Sequence, residues 1–350
     1  MSAVRIAVAG AGLIGRRHIE IITQSRDAKL SAIVDPSPAA ADLARERGVE
    51  LYASLEDLFA ADRPDAVVLA TPNRLHVSGG LACLEAGVPV LVEKPIADSV
   101  EDAKRLVDAV ESHGVPLLVG HHRRHSPLLA AASRLIDDGT LGQLVAVMGT
   151  AMFYKPDDYF DAAPWRREAG GGPILINMVH EVDNLRALCG EIDSVQATSS
   201  NRTRGFAVED TVAITLRFTS GALGSFLLSD AAASARSWEL TSQENKSYPT
   251  YGDEDCYVVA GTKGSLAVPT MRLKTYAGTP SWWEPFDVST AEVERADPLV
   301  RQLEHFIAVI RGVTPPLVTG YDGMQSLRVT MAIAEAAATG GTVAVESFPA

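Results

Sequence analysis

Cysteine is scarce in this sequence. Cys83, Cys189 and Cys256 are isolated and odd in number, so neither a disulfide framework nor a zinc-binding spacing can be read from them, and a reducing cytoplasm is the expected setting. Positive charge is also short: 31 Lys and Arg face 44 Asp and Glu, a formal net charge of −13. Nucleic acid and anionic membranes recruit positive surfaces, so neither is an expected partner. Aromatic residues make up only 6%. No uncharged apolar run approaches the roughly 18 residues that a membrane span needs. The first residues, Met1-Ser2-Ala3-Val4-Arg5-Ile6-Ala7-Val8, run straight into a strand pattern without the features of a signal peptide. Asn201-Arg202-Thr203 has the form of a glycosylation acceptor but lacks a secretory context. There is no fixed-period repeat and no low-complexity tract. These exclusions leave a small molecule as the expected partner.

What is present is enough apolar sequence for two cores: 350 residues, 47% of them hydrophobic. From residue 4 to about 120, apolar runs at Arg5–Ala9, Leu30–Val34, Ala66–Ala70, Val88–Val92 and Pro116–Val119 alternate with helical patterns at Ser54–Ala61, His76–Ala86 and Ser99–Ser112. That rhythm predicts a parallel sheet covered on both faces. After Gly120 the texture changes. Helical patterns at Pro127–Asp138 and Pro173–Cys189 precede strand-like runs at Val195–Asn201, Asp210–Phe218, Ala222–Ser229, Ser237–Thr241, Asp255–Val259 and Gly264–Val268. Strands in direct succession predict an α+β domain with one large open, mainly antiparallel sheet. Helices close the chain at Pro298–Arg311 and Tyr321–Thr339.

Gly10-Ala11-Gly12-Leu13-Ile14-Gly15 stands between the first strand and a helix, the context a dinucleotide fingerprint requires. The first glycine permits the turn and the second lets backbone approach a pyrophosphate. The third lets helix pack on strand, and the helix N-terminus favours the anion. Asp35 lies about 20 residues further on, at the end of the second strand, where it accepts hydrogen bonds from ribose hydroxyls and repels a 2′-phosphate. With Pro36, Ser37 and Pro38 following and no arginine before Arg45, NAD is favoured over NADP. The fold class is therefore α/β, with an N-terminal Rossmann domain over residues 1–122 and a substrate-binding and oligomerisation domain over 123–350. The helix at 321–339 is expected to pack back near the domain junction.

Glu93-Lys94-Pro95 follows the strand Val88–Val92. Together with Thr71-Pro72-Asn73, His76, the segment Gly120–Pro127, Trp165-Arg166, Gly170–Gly172 and His180-x-x-Asp183, it resembles the Gfo/Idh/MocA oxidoreductases, relatives of glucose–fructose oxidoreductase and inositol dehydrogenase. The matches run in order over nearly the whole chain. The resemblance implies that Lys94 reaches the reacting carbinol, where it can polarise the oxygen or relay its proton. It implies that His180 serves as acid and base. It also implies that Leu13, Ile14, Thr71, Pro72, Asn73, His76, Glu93, Lys94, Trp165 and Arg166 join the glycines and Asp35 at the cofactor. Dimers or tetramers through the sheet's open face are usual among relatives.

On a helix turning about 100° per residue, Asn177, His180, Glu181 and Asn184 of Pro173–Cys189 share one arc and the apolar residues another. Asn177, His180, Glu181 and Asp183 are therefore candidates for the substrate, with Lys94, His122 and Tyr154. Inositol dehydrogenases resembling this chain usually carry Asp where Asn177 stands; Asp183 is placed to take that task, or Asn177 only bonds substrate hydroxyls. His121, His122 and His125 replace the family's aromatic, Asn and Phe. They suggest a cleft-lining His122 rather than a metal, for which no accompanying Cys or close acid is present. Trp282-Trp283 reads as core or interface packing. The expected activity is hydride transfer between NAD and a secondary alcohol or ketone of a sugar or cyclitol. A catalytically silent dinucleotide-binding sensor, an NAD-dependent glycosidase and, within the class, a dihydrodiol dehydrogenase are the alternatives.

Overall fold

The computed structural model describes residues 2–346; residues 1 and 347–350 of the expected domains lie outside the described residues. The chain opens with β1 (Val4–Ala9), α1 (Leu13–Gln24), β2 (Ala28–Val34), α2 (Ala39–Arg47), β3 (Glu50–Tyr52), α3 (Leu55–Ala61), β4 (Ala66–Leu69), α4 (His76–Glu85), β5 (Val90–Val92), α5 (Val100–His113) and β6 (Leu117–Val119). The six strands are parallel, in the order β3-β2-β1-β4-β5-β6. The order reverses between β1 and β4, where a doubly wound sheet opens a crevice beyond its strand ends. β4 and β5 are buried along their length, which is why they read as unbroken apolar runs. Ser54 and Ser99 cap α3 and α5 by accepting from the backbone N–H of Asp57 and Asp102. Two elements carry no clear pattern in the sequence: α2, and the three-residue edge strand β3, too short to show a period.

Next come α6 (Pro127–Asp137), β7 (Leu144–Met152), α7 (Asp157–Asp161), a π-helical turn at Ile174–Met178, and α8 (Val179–Cys189). They lead to β8 (Ile192–Ser200), β9 (Thr211–Phe218), β10 (Leu223–Ser229), α9 (Trp238–Thr241), β11 (Tyr257–Gly261), β12 (Gly264–Val268), β13 (Arg272–Thr275) and β14 (Asp287–Thr290). The chain closes with α10 (Pro298–Ile310), α11 (Gly320–Thr339) and β15 (Thr342–Ala344). The second sheet runs β14-β13-β12-β11-β7-β10-β9-β8-β15 and is antiparallel except where β7 meets β10. Along β9 and β10 buried and exposed residues alternate. One face packs into a core with α6, α8 and the end of α11. The other leaves Met148, Leu223 and Leu227 exposed.

The expected strand Ser237–Thr241 is instead the short helix α9. Ser237 accepts from the Leu240 N–H, and Trp238 enters the core against Tyr257, with ring centroids 6.0 Å apart. A local cap won over an apparent strand run. Trp282 and Trp283 are not core: both are more than four-fifths exposed.

The chain packs as two compact units, 1–125 with 298–327 and 126–297 with 328–350. The first unit thus regains chain from far along the sequence. In it α10 packs on α1, the Val119 N–H donates to the Val318 carbonyl at 3.0 Å, and a Cβ on Gly323 would meet Val119 at 2.9 Å.

Candidate active-site residues

In the first unit, the glycine loop between β1 and α1 is shaped by steric demand. Gly10 has φ +96°, and a Cβ there would lie 2.3 Å from the Ala70 carbonyl oxygen; one on Gly15 would lie 1.9 Å from the Gly10 oxygen. A Cβ on Gly12 meets nothing within 4 Å. The outer two glycines are required by the fold itself, whereas the middle one borders open space where a ligand can approach the backbone. Gly12 caps α1 without a side-chain hydrogen bond, and the first turn carries no acid. Its N–H groups and partial positive charge are left for an anion. Leu13 stands 88% exposed beside them. These features fit a dinucleotide diphosphate.

Asp35 ends β2 and faces this loop. Its Oδ2 accepts from the Ala11 N–H at 2.7 Å and its Oδ1 from the Ser37 N–H at 2.8 Å. The carboxylate is held in place by backbone on both sides.

His76 is fully buried, with Nδ1 2.8 Å from the Pro95 carbonyl oxygen and Nε2 2.9 Å from that of Thr71. A neutral ring donates to one of these at a time. His76 therefore ties the Thr71-Pro72-Asn73 loop to the Glu93-Lys94-Pro95 turn. The Thr71 hydroxyl is buried without a hydrogen-bond partner among the described residues.

Glu93 is buried, and its Oε1 lies 2.7 Å from Nε2 of His18, an equally buried residue of α1. Its Oε2 accepts from the Lys94 N–H at 3.2 Å. Burial pushes the Glu93 carboxyl up, but the hydrogen bond and charge of His18, with help from His122 and Lys94, outweigh it and hold the pKa below the ordinary value. Gly120 is needed here, since a Cβ would come within 2.9 Å of the Glu93 carboxyl carbon. His18 was missed in the sequence, although a signal existed. Gly15, His18, Ile19 and Ile22 fall on the buried stripe of an amphipathic helix, and a buried histidine needs a partner. Half-buried His122 has its pKa pushed down to about 3 by burial and the Arg123 charge.

In the second unit, the helix expected to be continuous over Pro173–Cys189 begins with the π turn and is regular only from Val179. Gly172 is pressed against Glu209, whose Oε1 accepts from the Ile174 N–H at 2.9 Å. Burial raises the Glu209 pKa. The expected polar arc does not survive intact. Tyr257 donates its hydroxyl hydrogen to Glu181 Oε2 and accepts from Asn184 Nδ2 at 3.0 Å, and all three residues are buried. α8 is buried nearly all round, and the Glu181 carboxylate is engaged by a core tyrosine. His180 and Asp183 are both buried, three residues apart on α8.

Asn177 lies in the π turn and accepts from Lys155 Nζ at 2.7 Å. Tyr154 is exposed, with the Arg204 guanidinium 5.1 Å from its ring centre. Trp165 is 53% exposed, while Arg166 stacks on Tyr159 at 3.7 Å. Arg204 and Asp230 went unnoticed, because partners this distant in sequence leave no periodic trace. Among the described residues, no group of three or more His, Cys, Asp or Glu is arranged to hold a metal ion.

Comparison with known proteins matches the NAD-binding Rossmann-fold model of an oxidoreductase family, GFO_IDH_MocA, over residues 4–121, and its GFO/IDH/MocA C-terminal domain model over residues 129–267. The chain belongs to the Gfo/Idh/MocA oxidoreductases. It is 30% identical over 348 residues to 1,5-anhydro-D-fructose reductase of Ensifer adhaerens, covering 98% of this chain and 99% of the relative. It is also 30% identical over 341 residues to scyllo-inositol 2-dehydrogenase (NAD(+)) of Bacillus subtilis, covering 94% and 92%. The WlbA dehydrogenase of Bordetella pertussis, solved with NADH and UDP-GlcNAcA, superposes with a TM-score of 0.79 at 30% identity, over 99% of this chain and 100% of that one. This Gfo/Idh/MocA protein is an NAD-dependent oxidoreductase acting on CH–OH groups, with a Rossmann sheet and a mixed, mainly antiparallel second sheet. Among the described residues, no helix is long and apolar enough to cross a membrane.

Proposed function

We propose that this protein interconverts a secondary alcohol and a ketone on a small polyhydroxylated substrate, a sugar or a cyclitol. NAD, when bound, would supply the acceptor for the hydride leaving the carbinol carbon. Lys94 polarises the carbinol oxygen and relays its proton, and His180 acts as acid and base, a role for which imidazole is suited near neutrality. In this reading Asp183, three residues away on the same helix, orients His180. Tyr154 and His122 hold substrate hydroxyls, Asn177 is a further substrate contact, and Thr71, Pro72 and Asn73 border the nicotinamide riboside. The first unit, in this reading, carries the nucleotide and the second the substrate; self-association uses the exposed Met148, Leu223 and Leu227 face of the second sheet.

One observation carries the assignment of Lys94. The helix whose open N-terminus suits the pyrophosphate carries His18; His18 holds Glu93; and Glu93 takes the Lys94 N–H. The cofactor helix and the lysine turn therefore belong to one hydrogen-bonded piece. NADH formation against a panel of inositols, hexoses, pentoses and their lactones tests the proposal. Lys94→Ala is expected to abolish turnover while leaving NAD binding within twofold; wild-type turnover in Lys94→Ala refutes it.

A further inference from the structure

The second unit holds a cation that hydride transfer does not require. Lys155 follows β7 directly and is 8% exposed. Its ammonium donates to Asn177 Oδ1 at 2.7 Å, lies 3.6 Å from Asp230 Oδ2, and has the rings of Phe153 and Tyr159 at 5.5 and 4.9 Å. Burial, only partly opposed by Asp230, brings its pKa down to about 8. Asp230 is not available to Lys155 alone, because its Oδ1 accepts from Arg204 Nε at 2.9 Å. One buried carboxylate thus serves two buried cations. Arg166, stacked on the same Tyr159 ring, donates to the Tyr159 carbonyl and has no carboxylate partner among the described residues. Of the other acids nearby, Glu209 accepts from the Ile174 N–H, and Asp157, 4.0 Å from Arg204, is solvent-exposed.

Lys155 also dictates what Asn177 offers a ligand. An ammonium can only donate, so the amide atom facing it is the oxygen and the NH2 group is turned away. No protein acceptor takes that NH2 among the described residues. Asn177 therefore presents its NH2 donors, with its oxygen already engaged by the Lys155 ammonium. A neutral hydroxyl placed there must find an acceptor for its own proton elsewhere. A carboxylate needs only donors, and two cations strengthen its hydrogen bonds.

Resting on the hydride-transfer reading above, we infer that Lys155, Asn177 and Arg166 form a carboxylate subsite, so that the substrate is a sugar acid and not a neutral polyol. Lys155 and Arg166 supply charge, and the Asn177 NH2 supplies direction.

The test uses the NAD-loaded enzyme and matched pairs: hexoses against their uronates, aldoses against their aldonates. Wild type is expected to favour the acid of a pair by about tenfold or more in kcat/KM, the scale of one charge-assisted hydrogen bond. Asn177→Asp keeps an oxygen for Lys155, so the fold has no reason to fail, and it should reverse the preference toward the neutral partner. Lys155→Met should bring the ratio near unity. Equal turnover of acids and neutral sugars by wild type, or an unchanged ratio in Asn177→Asp, overturns the inference and leaves hydride transfer standing. If no sugar is turned over, the hydride-transfer reading fails, and calorimetric titration of glucuronate and gluconate into the NADH complex decides the subsite separately. Binding by wild type that is lost in Asn177→Asp supports it; equal binding, or none to either, overturns it.

Discussion

Replacing His18 with alanine leaves the Glu93 carboxylate buried beside an empty site, and the size of the effect can be worked from the structure. The two side chains are only 4% and 5% exposed, so solvent does not screen the pair. Removing one partner of such a pair costs about 3–5 kcal/mol. In a unit made of residues 1–125 and 298–327, each kcal/mol moves the melting point by roughly 2–4 °C. The transition of the first unit should therefore fall by roughly 6–20 °C, read by calorimetry so that the two units are resolved separately. The pH dependence has a fixed sign. In wild type the Glu93 pKa is depressed, so its contribution is complete above the unfolded carboxyl value and is lost as pH falls through the lower folded one. Without His18 the leading effect is burial, which raises the pKa and penalises the charged form. The gap between wild type and His18→Ala should be widest near neutrality and narrow on acidification through the carboxylate range. His18→Gln, which can still donate to Glu93, should recover part of the loss. Melting of His18→Ala within 2 °C of wild type at neutral pH would refute the assignment of Glu93 as a buried, His18-held carboxylate, since about 3 kcal/mol cannot hide in so small a shift.

Gly12→Ala should keep the wild-type melting point and lose NAD affinity in a fluorescence titration, because its Cβ enters open space on the ligand side. Gly15→Ala should fail to fold or melt far lower, since its Cβ would sit 1.9 Å from backbone. Asp35→Ser should weaken NAD and improve NADP, shifting the ratio of their kcat/KM values by about tenfold or more as a negative charge and hydrogen bonds to the loop disappear; an unchanged ratio would remove Asp35 from cofactor choice. Tyr257→Phe should cost about 1–3 kcal/mol in urea unfolding of the second unit, because Glu181 and Asn184 lose a buried partner. A loss under 0.5 kcal/mol would show that water replaces the hydroxyl.

The first unit was largely legible because its signals are local. A glycine at positive φ, an acid at a strand end and apolar runs without alternation each report a constraint within a few residues. The interrupted chain course was not legible. Nothing in Pro298–Ile310 says that it packs on α1, since an amphipathic helix declares that it has a buried face but not against what. The same limit hid the partner of Glu93. His18 lies 75 residues away, and only the fold makes them neighbours. In the second sheet, β8 to β10 declared themselves by alternation. The edge strand β14 is exposed, short and polar, which suits an edge that must not recruit other strands and leaves little periodic signal.

The helix carrying Asn177 and His180 failed to yield to an angular reading for a more instructive reason. Projecting residues at a fixed angle assumes one hydrogen-bonding register, and Ile174–Met178 departs from it through a π turn. Such turns shift side chains around the axis and recur at functional sites. The start of the turn is held by Glu209 on the Ile174 N–H, with Gly172 leaving room for that carboxylate. Past it, Glu181 and Asn184 turn into the core toward Tyr257, while Asn177 meets Lys155. Polar residues that seemed to share one face therefore divide between a cluster around Tyr257 and an amide held by Lys155. The division follows from the partners, because a buried carboxylate with a tyrosine hydroxyl is satisfied within the protein, whereas an amide fixed by an ammonium still has two donors to give.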